Sequence, residues 1–150
     1  SVHKEFYEKR MHHHDLTLND DYLVNGTSFS KEEGYKAMQN LMHLSAPPTA
    51  VFCASDFLAI GAMEAVKDAG FKVPEDFSLV GFDGIDLGQL ITPRLTTVKQ
   101  DTRAMGDLAA ENLLEYIDNK ERVVSEGKTI TVDTQLIEGE SAIPLKNRLK

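Results

Sequence analysis

The sequence predicts an α/β fold built on an open, mainly parallel sheet with helices on both faces. Three observations predict it. Helical and extended patterns alternate along the chain, with short turn signals between them. The stretch PTAVFCASDFLAIGAMEAVKDAGFKVPEDFSLVGFD, residues 48–83, reads as strand, helix, strand, with a polar residue at the carboxyl end of each strand. Its second strand, FSLVGF, is a nearly continuous apolar run, as expected of a strand buried on both faces. Ligands of open parallel sheets bind in the crevice outside the carboxyl ends of the strands. Ser55-Asp56 and Asp83 therefore mark one wall of a ligand crevice.

The elements follow in order. Residues 2–14 predict a helix of weak apolar character, and Tyr22–Val24 a short strand ending at Asn25-Gly26. Ser30-Lys31-Glu32-Glu33 is a capping box. In it the Ser30 hydroxyl accepts from the Glu33 amide while the Glu33 side chain reaches back. The helix behind the box sets Tyr35, Met38, Leu41 and Met42 on one face. Pro47-Pro48 stops that region and introduces a strand over Thr49–Ala54. A helix over Asp56–Ala69 carries a broad apolar stripe of Ala59, Ile60, Met63 and Val66, and Gly70 suits the position after its end. Pro74-Glu75-Asp76 turns into the strand Phe77–Phe82, and residues 85–91 give one or two helical turns. Leu95–Val98 is rich in β-formers. Asp101 caps a helix reaching about Asn119, with Met105, Leu108, Ala109, Leu113 and Ile117 apolar. A charged loop leads to a last strand over Thr129–Leu136, and the tail from residue 142 ends in a frayed KNRLK.

Composition bounds the function. At 150 residues the chain can bury a real core, and 41% hydrophobic with 27% charged residues fits a globular protein. Sixteen basic against 24 acidic side chains give a formal charge of −8, with no Lys/Arg block to neutralise a run of phosphates. By itself the chain is a poor nucleic-acid binder. Its one cysteine, Cys53, rules out an internal disulfide and fits a reducing compartment. No apolar run approaches a membrane span, and the start has no signal-peptide core. The reading is a cytoplasmic chain without membrane contact.

Several ordered blocks together resemble the C-terminal part of the lactose/galactose repressor (LacI/GalR) family. They are FSKEEGYKAMQNLM, the 48–83 stretch, TPRLTTVKQ and TQLIEGES, at spacings that fit that family. The resemblance implies a periplasmic-binding-protein-like core of two α/β subdomains, in which a small effector binds between them. It also implies an N-terminal helix-turn-helix domain that contacts DNA. On this alignment the sequence covers the C-terminal subdomain, residues 1–100 with 123–141. The segment 101–122 holds a helix that in the family packs on the other subdomain, and 142–150 is a tail. The helix-turn-helix domain and nearly all of the first subdomain are expected to lie outside this sequence. The apolar face of the helix then lacks its family partner and is expected to seek cover.

The same resemblance nominates site residues, each with a plainer reading beside it. Asp83 matches the family Asp that hydrogen-bonds the effector. Its carboxylate has a plainer role as a turn former, which the matched block favours less. Gly84 departs from the Asp or Asn that many members carry next. Ser55 matches a position that is often Asn and faces the effector. Asp56 stands at a helix N-terminus, where a carboxylate is stabilised without any ligand. Phe29 matches an aromatic that stacks on the effector ring. The alternative, a hydrophobic staple, is weakened because its partner position holds Gly34. Val2, counted back from Phe6, stands where many members carry an effector-binding Arg. Ile60, Glu64 and Ile91 match places at or near the family's dimer contact, implying a homodimer, although Ile60 also reads as core. His12-His13-His14 point in three directions on a helix and make no metal site. Cys53, within an apolar strand, reads as core.

The sequence bears on three functions. The first is the effector-binding and dimerisation part of a LacI/GalR-type transcription regulator that senses a sugar-like molecule. The second is a solute-binding protein of a transport system with the same fold, which TPRLTTVKQ and IEGES favour less. The third is a small enzyme, for which the sequence offers no phosphate loop, no acid–base pair with a nucleophile, no metal-ligand spacing and no cofactor signature.

Overall fold

A computed structural model of the chain describes residues 2–118 and 129–144, the first two by backbone alone. The charged loop 119–128 and the tail 145–150 lie outside the described residues, as does the side chain of Val2. The elements run α1 (Val2–His13), a 3-10 turn (Asp20–Tyr22), α2 (Lys31–Met42), β1 (Ala50–Phe52), α3 (Asp56–Asp68), β2 (Ser78–Asp83), α4 (Asp86–Leu90), β3 (Thr96–Gln100), α5 (Thr102–Asp118) and β4 (Thr134–Ile137). The sheet order is β1-β2-β3-β4. The first three strands are parallel, with Phe52 opposite Val80 and Asp83 opposite Lys99. β4 returns antiparallel to β3, with Leu136 opposite Val98.

Two sequence expectations fail. Tyr22–Val24 forms no strand. Asn19 instead caps the 3-10 turn by accepting from the Asp21 amide, and the Tyr22 hydroxyl donates to Ala46 O at 2.7 Å. Short Asx-type bonds of this kind compete with strand pairing. The last strand starts at Thr134 rather than 129, because its register with β3 ends where β3 itself ends, at Gln100.

The helix ends follow their residues closely. Ser55 Oγ accepts from the Leu58 amide and caps α3. At the far end Gly70 adopts φ +81°, and the Phe71 amide donates back to Val66 O at 3.0 Å, a left-handed helix stop. Asp101 Oδ1 accepts from the Ala104 amide at 2.9 Å and opens α5. The capping box at α2 forms by half. Ser30 Oγ accepts from the Glu33 amide, but the Glu33 carboxylate accepts from Thr27 N instead of reaching Ser30.

α3 packs on one sheet face and α2 packs on α3. The core is Met38, Leu41, Cys53, Ala59, Ala62, Met63, Ala65, Val66, Phe77, Leu79 and Leu95. Close approach of the two helices depends on Gly34 and Gly61. A side chain at Gly34 would strike the Leu58 backbone, and one at Gly61 the backbone of Lys31 and Tyr35. Two polar links bridge the same contact, Lys31 to Glu64 at 2.9 Å and Tyr35 Oη to Asp68 at 3.1 Å. By strand alternation the opposite sheet face carries Phe52, Val80, Phe82, Val98 and Leu136. Phe52 there is 42% exposed and Leu136 57%. Helix α5 buries none of its residues.

Candidate functional site

The carboxyl ends of β1, β2 and β3 lie along one edge of the sheet, because the three strands are parallel and in register. Ser55 and Asp56 follow β1, Asp83 ends β2 and Gln100 ends β3. Backbone conformation singles out Asp83. Its φ is +118°, a region that non-glycine residues adopt only when their surroundings impose it, and the next residue, Gly84, is also left-handed at +74°. Glycine is required at 84 for a second reason. A Cβ there would sit 2.5–2.7 Å from the Cα, Cβ and Cγ of Lys99. No side chain at 84 would fit the turn seen here. The Asp83 carboxylate, half-buried, accepts from Gln100 Nε2 at 2.9 Å.

Asp56 is held in the interior at the start of α3. It is 0% exposed. Its Oδ2 accepts from the Ile85 amide at 2.8 Å and its Oδ1 from Thr97 Oγ1 at 2.5 Å. No cation faces it among these bonds. Two hydrogen bonds and the N-terminus of α3 stabilise the charge instead. Gly81 makes room, since any side chain there would strike Asp56 Oδ1. One carboxylate thus ties the start of α3 to the turn after β2 and to the middle of β3.

Ser55 is buried at 4% exposure, and its hydroxyl oxygen is engaged by the Leu58 amide. It stands at the crevice edge chiefly as a cap. Phe29 stays on the surface ahead of α2, 64% exposed, and takes no part in the Asp56–Asp83 network. With Gly34 offering no side chain, it has no staple partner either. Ile60 and Glu64 share one side of α3, Ile60 half-buried and Glu64 paired with Lys31, while Ile91 is half-buried against the core. Cys53 is buried, and its thiol is pushed up to about 12, first by burial and then by the Asp56 charge. It is no nucleophile in this state. Among the described residues no group of three His, Cys, Asp or Glu could hold a metal.

Sequence reasoning missed three residues. Gln100 and Thr97 looked like ordinary strand positions, and only the register shows them reaching Asp83 and Asp56. Ser141 is 0% exposed. Its hydroxyl donates to Leu79 O at 2.6 Å and accepts from the Thr96 amide at 2.9 Å, while the Leu79 amide donates to Ser141 O. The IEGES block is thereby a clasp that closes the chain back onto β2 and β3. Arg94 and Glu140 brace it from outside, at 3.3 Å.

The family of periplasmic binding protein-like domains matches residues 3–142, and the chain belongs to it. Among its relatives is a protein of Bacillus subtilis strain 168 named probable HTH-type transcriptional repressor ExuR, 43% identical over 118 residues. That match covers 79% of this chain and 35% of the relative. The HTH-type transcriptional repressor PurR of Haemophilus influenzae strain PittEE is 37% identical over 133 residues, 89% of this chain and 39% of that one. The crystal structure of a LacI family transcriptional regulator from Enterococcus faecium, with bound ribose, superposes with a TM-score of 0.69 at 34% identity. It is covered over 42% of its length by 79% of this chain. The chain therefore spans well under half of each of these proteins. Among the described residues no helix is long and apolar enough to cross a membrane.

Proposed function

We propose that this chain is the effector-binding and dimerisation part of a LacI/GalR-type transcription regulator, cytoplasmic and not an enzyme. One observation carries the reading: Asp83 presents a carboxylate from a left-handed turn at the carboxyl edge of three parallel strands, where such sheets bind ligands. A carboxylate accepts hydrogen bonds from hydroxyl groups and needs no cofactor to do so. A sugar-like effector fits that chemistry, and the ribose held by the Enterococcus faecium regulator supports it. The sheet and its flanking helices α2 and α3 form this wall of the cleft, and the helix beginning after Asp101 belongs against the opposite subdomain. That no residue of α5 is fully buried, with Leu113, Leu114 and Ile117 exposed, supports that assignment. Ile60, Glu64 and Ile91 belong to a homodimer contact. DNA contact falls to a helix-turn-helix domain ahead of the core, and effector bound across the cleft shifts the population between two subdomain orientations. The ExuR and PurR relatives, both named as repressors, support regulation over solute transport.

A thermal-shift screen of sugars and nucleosides on the full-length protein tests this. A saturating effector, at about a hundred times its Kd, adds about 2.7 kcal/mol of stability. Asp83→Ala removes that gain. A gain that survives Asp83→Ala would take the effector site away from this edge of the sheet.

A further inference from the structure

We infer that Gln100 and Asp56 are positioning residues that together hold Asp83 in its ligand-facing conformation. The inference rests on the reading of Asp83 as the effector carboxylate. A residue with a side chain does not stay at φ +118° unaided, because that strained region persists only where the surroundings impose it. The structure shows one clamp on each side of the strain. Gln100 Nε2 donates to Asp83 Oδ1 at 2.9 Å and fixes the side chain from the end of the neighbouring strand. Asp56 Oδ2 accepts from the Ile85 amide at 2.8 Å and fixes the backbone two residues later. Asp56 can do so because it is itself immobile, 0% exposed and bonded through its other oxygen to Thr97. Gly84 between the clamps carries the second left-handed φ, so the turn stores its strain at Asp83.

The two clamps have different reach. Asp56 also organises α3 and β3, so its removal has a general cost. Gln100 is half-buried at the rim, next to the Asp101 that caps α5. It makes the Asp83 geometry sensitive to where β3 hands over to α5. Asp83 is therefore shaped from the strand that leads toward the other side of the cleft, not only from its own.

The test needs no effector. In the intact 15N-labelled chain, the three-bond coupling between the Asp83 amide and α protons is small for φ near +118°, and large for extended backbone. Gln100→Leu keeps a side chain of similar length and removes the donor. Asp56→Asn keeps the shape and removes one acceptor. Each variant is expected to raise the Asp83 coupling toward the extended value, with the larger rise in the double variant. Urea midpoints report general stability separately, and Gln100→Leu is expected to leave the midpoint close to that of wild type. An unchanged Asp83 coupling in a folded Gln100→Leu chain overturns the inference, even if Asp56→Asn does not fold. A sugar screen that finds no effector would count against the functional reading alone, since the coupling responds without ligand.

Discussion

Replacing Gly34 with alanine tests how much of this fold hangs on the contact between α2 and α3. A new methyl at 34 would lie 2.7 Å from both the Cα and the carbonyl carbon of Leu58, and closer still to its oxygen. Carbon atoms rest at about 3.5–4.0 Å, so the helices must part by roughly 1 Å. All three obstructing atoms are backbone and cannot rotate away. Overpacking of this kind costs about 1–3 kcal/mol, and a backbone obstacle places it near the top of that range. Alanine returns about 1 kcal/mol through its helix propensity. The net loss is about 2 kcal/mol, or about 4–8 °C in Tm for a chain of this size. Urea unfolding followed by circular dichroism measures it, with the m-value expected to hold. The Lys31–Glu64 and Tyr35–Asp68 links cross the same contact and should loosen with it. Gly61→Ala opens the same gap, so the double variant should cost less than the sum of the two. A midpoint equal to or above wild type would refute the reasoning, because propensity would then have outweighed packing.

Three further outcomes are expected. Ser141→Ala leaves the Leu79 carbonyl and the Thr96 amide without a buried partner and should cost about 1–3 kcal/mol in denaturant unfolding. The Cys53 thiol is pushed from 9.0 to about 12 in the fold, above its unfolded value. Its contribution to stability is complete below about pH 9 and is lost as pH rises toward 12. Native chain should resist iodoacetamide at pH 8, reacting at the rate of unfolding, and fast alkylation of folded protein would contradict the burial. The bare apolar face of α5, with Leu113, Leu114 and Ile117 58–60% exposed, should make this chain self-associate on size-exclusion chromatography with light scattering. Leu113→Asp with Ile117→Asp should shift it toward monomer, and a wild-type monomer with α5 intact would speak against that face being sticky.

Much of the fold was legible in the residues, for local reasons. The caps at Ser30 and Asp101 and the stop at Gly70 involve partners within a few positions, so sequence alone placed those helix ends, whereas the α3 cap falls to Ser55 and not to Asp56. The β2 strand announced itself through FSLVGF, although only one face of it is fully buried, through Leu79, while Val80 and Phe82 on the other are half-buried. The short strand expected at Tyr22–Val24 failed because the Tyr22 and Leu23 amides donate locally, to Asn19 O and Asp20 O, in a 3-10 turn.

At the site the division is sharper. The sequence by itself placed Ser55-Asp56 just after one parallel strand and Asp83 at the carboxyl end of the next, because that needs only the strand–helix–strand pattern and its direction. Tertiary structure alone decided which carboxylate is outward. Asp56 and Asp83 are the same residue type in equivalent places, yet Thr97 and Ile85 consume one of them in the interior while Gln100 holds the other at the rim. Those partners lie 17 to 41 residues away, and they meet only because β2 and β3 pair in one register. A one-residue slip would turn Thr97 away from Asp56 and remove both assignments.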